Sequence, residues 1–484
     1  MDPFQTKGII CMEHLEKIKY QKFIWPIAIA LIIWLCTPFK PAGIPVAGWH
    51  MLAIFVGTIV GCITQPMPIG AVALFGFTIT VTLGLVDMDD AAMGFGNSTV
   101  WMIAMAYFLS RGFIKTGFGR RVALLFVRLF GKKSLGLAYS LIAVDLVTAP
   151  ATPSNTARSG GIVYPIIDSL AHTYGSDPRD GTARKMGAFL VFEEFHGDII
   201  TSGLFMTAMA PNLVAVALAK ALHVNIPWMT WFIAGLVPAI ISLICVPWII
   251  YKMYPPEIKE TPNAKEWADS ELEKMGKFSL PEKMMAGVFV FALIMWMISS
   301  FIGMEASLVA FMAVSLLLLT GVLSIQDILK ETGAWNTLLW FSVLIFMATE
   351  LNTLGVIPWL SLTIKNAVAG VSWIWVLLIL VLVYFYSHYL FASGTAHVTA
   401  MYSALLGVAI SSGAPAVMAA ITLGFVGAIF NSTTHFASGP ATVLFGSGYV
   451  KQSDWWRMNF ILGLFYLVVW IGIGALWMKV IGLW

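Results

Sequence analysis

The stretch "ATPSNTARSGG", residues 151–161, decides how the chain is read. It sets Pro153, two glycines, several hydroxyl and amide side chains and Arg158 between long apolar arms. Such a stretch does not suit the lipid-facing middle of a membrane helix, where every backbone polar group must find a partner inside the segment. It is either an ordinary loop or a deliberate break in a helix.

The surrounding composition narrows the choice. Of the 484 residues, 59% are hydrophobic and only 11% charged, against about 45–50% and 25% in soluble domains. Apolar segments of about 20 residues, enough to cross a hydrocarbon core of ~30 Å, recur along the chain, as at 23–38, 44–64, 227–252, 284–303 and 458–480. The expected class is therefore an all-α polytopic membrane protein. The net charge of +3 says little about partners, and no basic tract resembles a nucleic-acid site, so no nucleic-acid partner is expected. Four scattered cysteines (Cys11, Cys36, Cys62, Cys245) form neither a disulfide framework nor a metal spacing. Lys17, Lys19 and Lys22 precede the first apolar run, and no small-residue cleavage site follows, so an uncleaved first helix is expected.

Basic residues set the orientation. Residues 111–133 carry seven of them and no acid, and the loop 252–283 carries six lysines, so both are expected in the cytoplasm. The acidic "DMDD" at 87–90 falls outside. These assignments agree only if the chain around 154 and around 393 enters and leaves on one side, as re-entrant hairpins. The layout is then about 11 transmembrane helices in the cell membrane, of the bacterial cytoplasmic type, with the N-terminus cytoplasmic and the C-terminus extracellular.

"ATPSNTARSGG" has an echo. "SNTAR" at 154–158 matches "SGTAH" at 393–397, an offset of 239, and "NSTVW" at 97–101 matches "NTLLW" at 336–340 with the same offset. "AMAPN" at 208–212 pairs with "ASGPA" at 437–441, now offset by 229, because the long turn at 171–185 gives way to the short "SSGAPA". The expected organisation is an N-terminal segment and first helix (1–40), a first repeat (41–254), a cytoplasmic loop (255–283) and a second repeat (284–484). The hairpins fall at about 121–170 and 366–410, and the broken helices at about 186–222 and 415–447. Five crossings per repeat invert the second half against the first, the arrangement of secondary transporters whose sites lie between broken helices.

Two half-helices meeting at a tip present free N–H groups and a positive dipole end, which attract an anion. Ser154, Asn155 and Thr156 at the first tip, with Ser393, Gly394 and Thr395 at the second, are the candidate substrate-binding residues. Gly394 stands in place of the asparagine, so the second tip is expected to have one side-chain ligand fewer. Pro211 and Pro440 are expected to interrupt the facing helices and to complete the site. Arg158 and His397, themselves 239 apart, are candidate fixed cations, and a buried arginine in a membrane is costly and commonly functional. Helix capping by Ser, Asn and Thr is the ordinary alternative for one such triplet; four breaks at repeat-related positions argue against it.

At these residues the chain resembles the divalent anion/sodium symporter family, and most closely its branch of citrate/succinate antiporters and oxoglutarate/malate translocators. The likeness runs through "GFGRRVAL", "APATPSNTARSGG", "HYLFASGTAH", "ASGPATVLFGSGYVK" and "DWWR". It implies a homodimer in the lipid bilayer, with an elevator-type mobile domain that holds a di- or tricarboxylate between the tips and needs no cofactor. In sodium-coupled relatives each tip encloses one Na⁺; here the first cage would use Ser154, Asn155 and Ala208, and the second Ala392, Gly394 and Ala437. The resemblance and the two cations together point to a Na⁺-independent dicarboxylate exchanger in which Arg158 and His397 replace the coupling ions. Their positive charge, uncompensated without a bound dianion, would hinder empty return across a low-dielectric barrier. The alternative is a Na⁺-coupled di- or tricarboxylate symporter.

"FEEFHGD" (Glu193, Glu194, His196, Asp198) lacks a metal-site spacing and is expected to line the broken helix, with contact to the first tip. A membrane-embedded enzyme built on that cluster would need no second, symmetric tip. Asp145 and His388 are expected to steady the hairpin arms.

Overall fold

The computed structural model describes residues 18–299, 301–367 and 370–484; Cys11 and Lys17 lie outside the described residues. Helices account for the regular structure, and among the described residues the β-type pairing is a single isolated bridge between Lys133 and Glu260. Among the described residues, seven helices are long and apolar enough to cross a membrane: Val46–Thr64, Ser134–Ala151, Trp228–Met253, Leu280–Ser299, Thr332–Thr353, Trp373–Leu390 and Gln452–Val480. The chain is a multi-pass membrane protein.

Two compact units form. Of the described residues, one comprises 18–94 and 339–356. Its helices Ile24–Leu35, Val46–Thr64 and Ile69–Thr82 cross at small residues. A Cβ on Gly57 would lie 2.8 Å from that of Ala30, and one on Gly61 would lie 2.7 Å from Val72. Such close backbone approach is how membrane helices pack without a hydrophobic driving force between them. Trp25, Ile32 and Leu35 stay exposed, an apolar face suited to lipid.

The other unit, 95–338 and 357–484, carries the polar breaks. The first hairpin rises as Ser134–Thr148, tightens at Ala149–Ala151 and turns through extended residues 152–154. It then descends through Asn155–Arg158, a widened π-type turn at Ser159–Val163 and Tyr164–Thr173. The second hairpin repeats the plan: Trp373–Ser387, His388–Leu390, extended Phe391, and Gly394–Ser411. The first thus begins at Ser134 rather than near 121. Gly131 ends the preceding helix, Phe118–Phe130, which is a separate amphipathic element.

That helix docks on Ala264–Met275 of the charged loop through Arg120–Glu271 at 2.7 Å and Arg128–Asp269 at 2.8 Å. Lys259 accepts the Ser134 backbone N–H at 3.0 Å, so the loop also holds the foot of the hairpin. Lys274 and Arg120 hold the Glu271 carboxyl below the usual carboxylate range.

The broken helices are Gly187–Leu204 followed by Ala210–Ala221, and Ala416–Ile429 followed by Gly439–Gly446. Pro211 and Pro440 do not interrupt these helices from within. Each sits in the first turn of the second half, where a missing N–H is harmless. The chain leaves the helix before them, in the extended residues Phe205 and Met209 and, in the second case, at Ser438.

Candidate functional site

Three of the four segments that start at a break are capped by serine. Ser154 Oγ accepts the Ala157 N–H at 3.2 Å, Ser393 Oγ that of Ala396 at 3.3 Å, and Ser438 Oγ that of Ala441 at 3.4 Å. In each, a hydroxyl lone pair is engaged by the cap, which leaves the O–H proton to be given elsewhere; that of Ser154 lies in hydrogen-bond reach of the Tyr107 hydroxyl, which also lines the cavity described next. The fourth segment starts at Ala210 without a side-chain cap.

All four starts open onto one cavity of about 210 Å³. Its wall contains Ser154, Asn155 and Thr156 of the first tip, Ser393, Gly394 and Thr395 of the second, and Pro211. Pro440 is not in the wall; its neighbours Ser438 and Gly439 are, and with Tyr107 and Asn431 they are the residues sequence reasoning missed. No charged side chain lines the cavity among the described residues. What it offers an anion is neutral: converging positive helix ends, serine and threonine hydroxyls, and unpaired first-turn N–H groups.

The two halves interlock across the cavity. Thr156 of the first tip sits against Gly439 of the second broken helix, where a Cβ would fall 1.9 Å from Thr156 Oγ1. Gly394 of the second tip sits against Asn431, whose Oδ1 would be 2.5 Å from a Cβ there. The expectation of one side-chain ligand fewer at the second tip is corrected accordingly. The space that an asparagine would fill at 394 is taken by the amide of Asn431, reaching from the facing helix. Position 431 lies 229 residues beyond Ser202, so the offset of the broken helices could have drawn attention to this lone amide in an apolar run.

Arg158 is fully buried behind the first tip, outside the cavity wall. All five of its N–H donors are used. Nε donates to Asp145 at 2.6 Å; Nη1 to the Thr152 and Ala208 carbonyls at 2.9 and 2.8 Å; Nη2 to Asp198 and Ser202 at 2.7 Å each. The Thr201 hydroxyl donates to the other oxygen of Asp145, and Asn155 donates to the other oxygen of Asp198 at 3.2 Å. Asp198 therefore does reach the first tip. The idea that the guanidinium charge awaits the substrate is corrected: two carboxylates already face it, and it has no donor to spare.

In the second half the Ala437 carbonyl accepts from His388 Nε2 at 3.0 Å. His388 Nδ1 meets His397 Nδ1 at 2.9 Å, and His397 Nε2 meets the Ser387 hydroxyl at 3.0 Å. A carbonyl only accepts, so His388 holds its proton on Nε2 and accepts from His397 at Nδ1. Ala208 and Ala437, the paired cage carbonyls, are thus each occupied by a nitrogen donor from their own hairpin.

The rest of "FEEFHGD" points elsewhere. His196 bonds the Tyr466 hydroxyl and Asn459 Oδ1, both at 3.1 Å. Glu193 and Glu194 are buried with no hydrogen-bond partner among the described residues.

Broken helices converging on a small anion-attracting cavity, inside a multi-pass helical protein, define a transporter rather than an enzyme. The chain belongs to the family described as the sodium:sulfate symporter transmembrane region, matched over residues 17–484. It is 48% identical over 468 residues, covering 96% of this chain and 98% of the relative, to a Bacillus subtilis protein named for malate transport, YflS. It is 43% identical over 457 residues (94% and 80%) to dicarboxylate transporter 1 of Spinacia oleracea chloroplasts. It is 35% identical over 485 residues (96% and 99%) to an L-tartrate/succinate antiporter of Shigella boydii. The fold is similar to that of the Alcanivorax borkumensis YdaH transporter, with a TM-score of 0.54 at 13% identity, covering 84% of this chain and 88% of that one.

Proposed function

We propose that this chain exchanges dicarboxylate anions across the membrane, independently of Na⁺, by elevator-type alternating access. The observation that carries the reading is the cavity itself: four helix starts and three capping serines around a volume of about 210 Å³. That is below the ~300–1,000 Å³ of sites for drug-sized ligands and suits a small diacid. Two tips, one from each hairpin, offer one end to each carboxylate. The relatives named for dicarboxylate transport and for tartrate/succinate antiport support the same substrate class.

Na⁺ independence follows from the donors on Ala208 and Ala437, since a carbonyl already bonded to a guanidinium or an imidazole N–H is a poor ligand for a cation. Exchange follows from the converging helix ends. Their positive potential is unmatched when the cavity is empty and is matched by a dianion, so the loaded form crosses the low-dielectric barrier more readily. The inverted repeats, eleven crossings and homodimer belong to the same reading.

The test uses purified protein in proteoliposomes preloaded with unlabelled dicarboxylate. Labelled dicarboxylate should enter at the same rate whether the outer cation is Na⁺, K⁺ or choline. Equal uptake into empty vesicles would refute exchange, and loss of uptake without Na⁺ would establish the symporter instead.

A further inference from the structure

Asn431 closes the end of the Ala416–Ile429 helix and is 3% exposed. Its Nδ2 donates to the Gly427 and Ala428 carbonyls, both at 3.0 Å. These two bonds use both amide hydrogens and settle which way the amide faces, because a flipped group would press its oxygen against two carbonyls. Oδ1 is therefore the atom left over. It is buried, has no hydrogen-bond partner among the described residues, and belongs to a residue in the cavity wall beside Gly394.

A buried acceptor without a donor is a standing cost, and native proteins rarely leave one without a reason. In a cavity otherwise furnished with donors it is also misplaced for an anion, since a carbonyl oxygen repels a carboxylate. Both difficulties disappear if the substrate brings an O–H donor close to its carboxylate. Ser202, the counterpart of Asn431 in the first half, has its hydroxyl occupied by Arg158. Asn212 of the first half also has a buried amide oxygen without a partner among the described residues, but it is not in the cavity wall. Within the wall the donor-seeking amide oxygen is thus one-sided, and a substrate with one hydroxyl would be held in one orientation.

We propose that Asn431 Oδ1 accepts the hydroxyl of a 2-hydroxydicarboxylate, making this chain selective for hydroxylated diacids over unsubstituted ones. The inference rests on the dicarboxylate reading above and sharpens it from a substrate class to a preference within that class. A site built to bond a substrate hydroxyl discriminates against analogues that lack it, because its own polar group is left unpaired.

The experiment is counterflow in proteoliposomes, with malate, methylsuccinate and succinate as competitors of a labelled dicarboxylate. Methylsuccinate matches malate in chain length and branch size but carries no donor. With the unaltered protein, malate should compete about tenfold or more better than methylsuccinate, the ratio expected for one buried hydrogen bond. In Asn431→Ala that ratio should fall toward one; the ratio, not the absolute rate, is the readout. Asn431→Ser keeps a small acceptor and should retain part of the preference. A ratio near one in the unaltered protein overturns the inference even if neither variant folds, and so does a ratio that Asn431→Ala leaves unchanged. Exchange of diacids without hydroxyl preference defeats this inference alone, whereas no exchange of any diacid defeats the dicarboxylate reading with it.

Discussion

Arg158 ties three strands of chain together: its own tip through Thr152, the hairpin arm through Asp145, and the broken helix through Asp198, Ser202 and Ala208. Arg158→Ala would leave two buried carboxylates facing each other, a loss of about 3–5 kcal/mol for a broken buried pair. The expected outcome is a lower melting temperature in detergent together with loss of exchange. Arg158→Lys keeps the charge but has three donors for five acceptors. It should recover part of the stability while exchange stays well below that of the unaltered protein, measured side by side in the same vesicles. A second residue-scale prediction concerns Gly439. In Gly439→Ala the new methyl meets Thr156 Oγ1, so the first tip must shift and exchange should fall at least tenfold. Adding Thr156→Ala removes the closest clash, and the double variant should be more active than Gly439→Ala alone.

At the scale of elements, the charged helix Ala264–Met275 buries only Ala264 and Ala268, and ion pairs add to that small apolar contact. The Glu271 carboxyl, bonded by Lys274 and Arg120, titrates below its unfolded value. A depressed carboxyl contributes stability above the unfolded pKa of about 4.3 and loses it as pH falls through the folded one. Hydrogen exchange of the 264–275 amides should therefore be unchanged from pH 7 to 5 and rise, after correction for intrinsic rates, below about pH 4. Glu271→Gln should raise it already at pH 7. The two hairpins differ in how they secure equivalent carbonyls. The first uses an arginine flanked by Asp145 and Asp198; 239 and 229 residues on, those acids are replaced by Tyr384 and Gly427. A histidine pair suffices there because it can carry its donors without a matching acid.

For the whole molecule, sidedness is the open expectation that the basic loops make testable. Single cysteines at Asp180 and Lys265, in a cysteine-free background, should react with an impermeant maleimide from the cytoplasmic face only. A cysteine at Asp89 should react from the opposite face only. Labelling of Asp180→Cys and Asp89→Cys from the same side would break the eleven-crossing layout. The membrane class, the four breaks and the pairing of "SNTAR" with "SGTAH" were legible because they depend on local chemistry: apolar length, helix-breaking residues and a repeated spacing.

Sequence by itself thus determined that this protein is a helical membrane transporter with two related tips, and seven of the eight residues it proposed for the substrate line one cavity. Tertiary structure alone decided what each tip faces. Thr156 meets Gly439 and Gly394 meets Asn431 across chain separations of hundreds or tens of residues, and no spacing rule encodes such contacts. It also decided that the charge of Arg158 is matched from within, because hydrogen bonds to Asp145, Asp198 and two carbonyls depend on how hairpin and broken helix pack. Periodicity reports where a helix breaks; only packing reports which groups the break is left to satisfy.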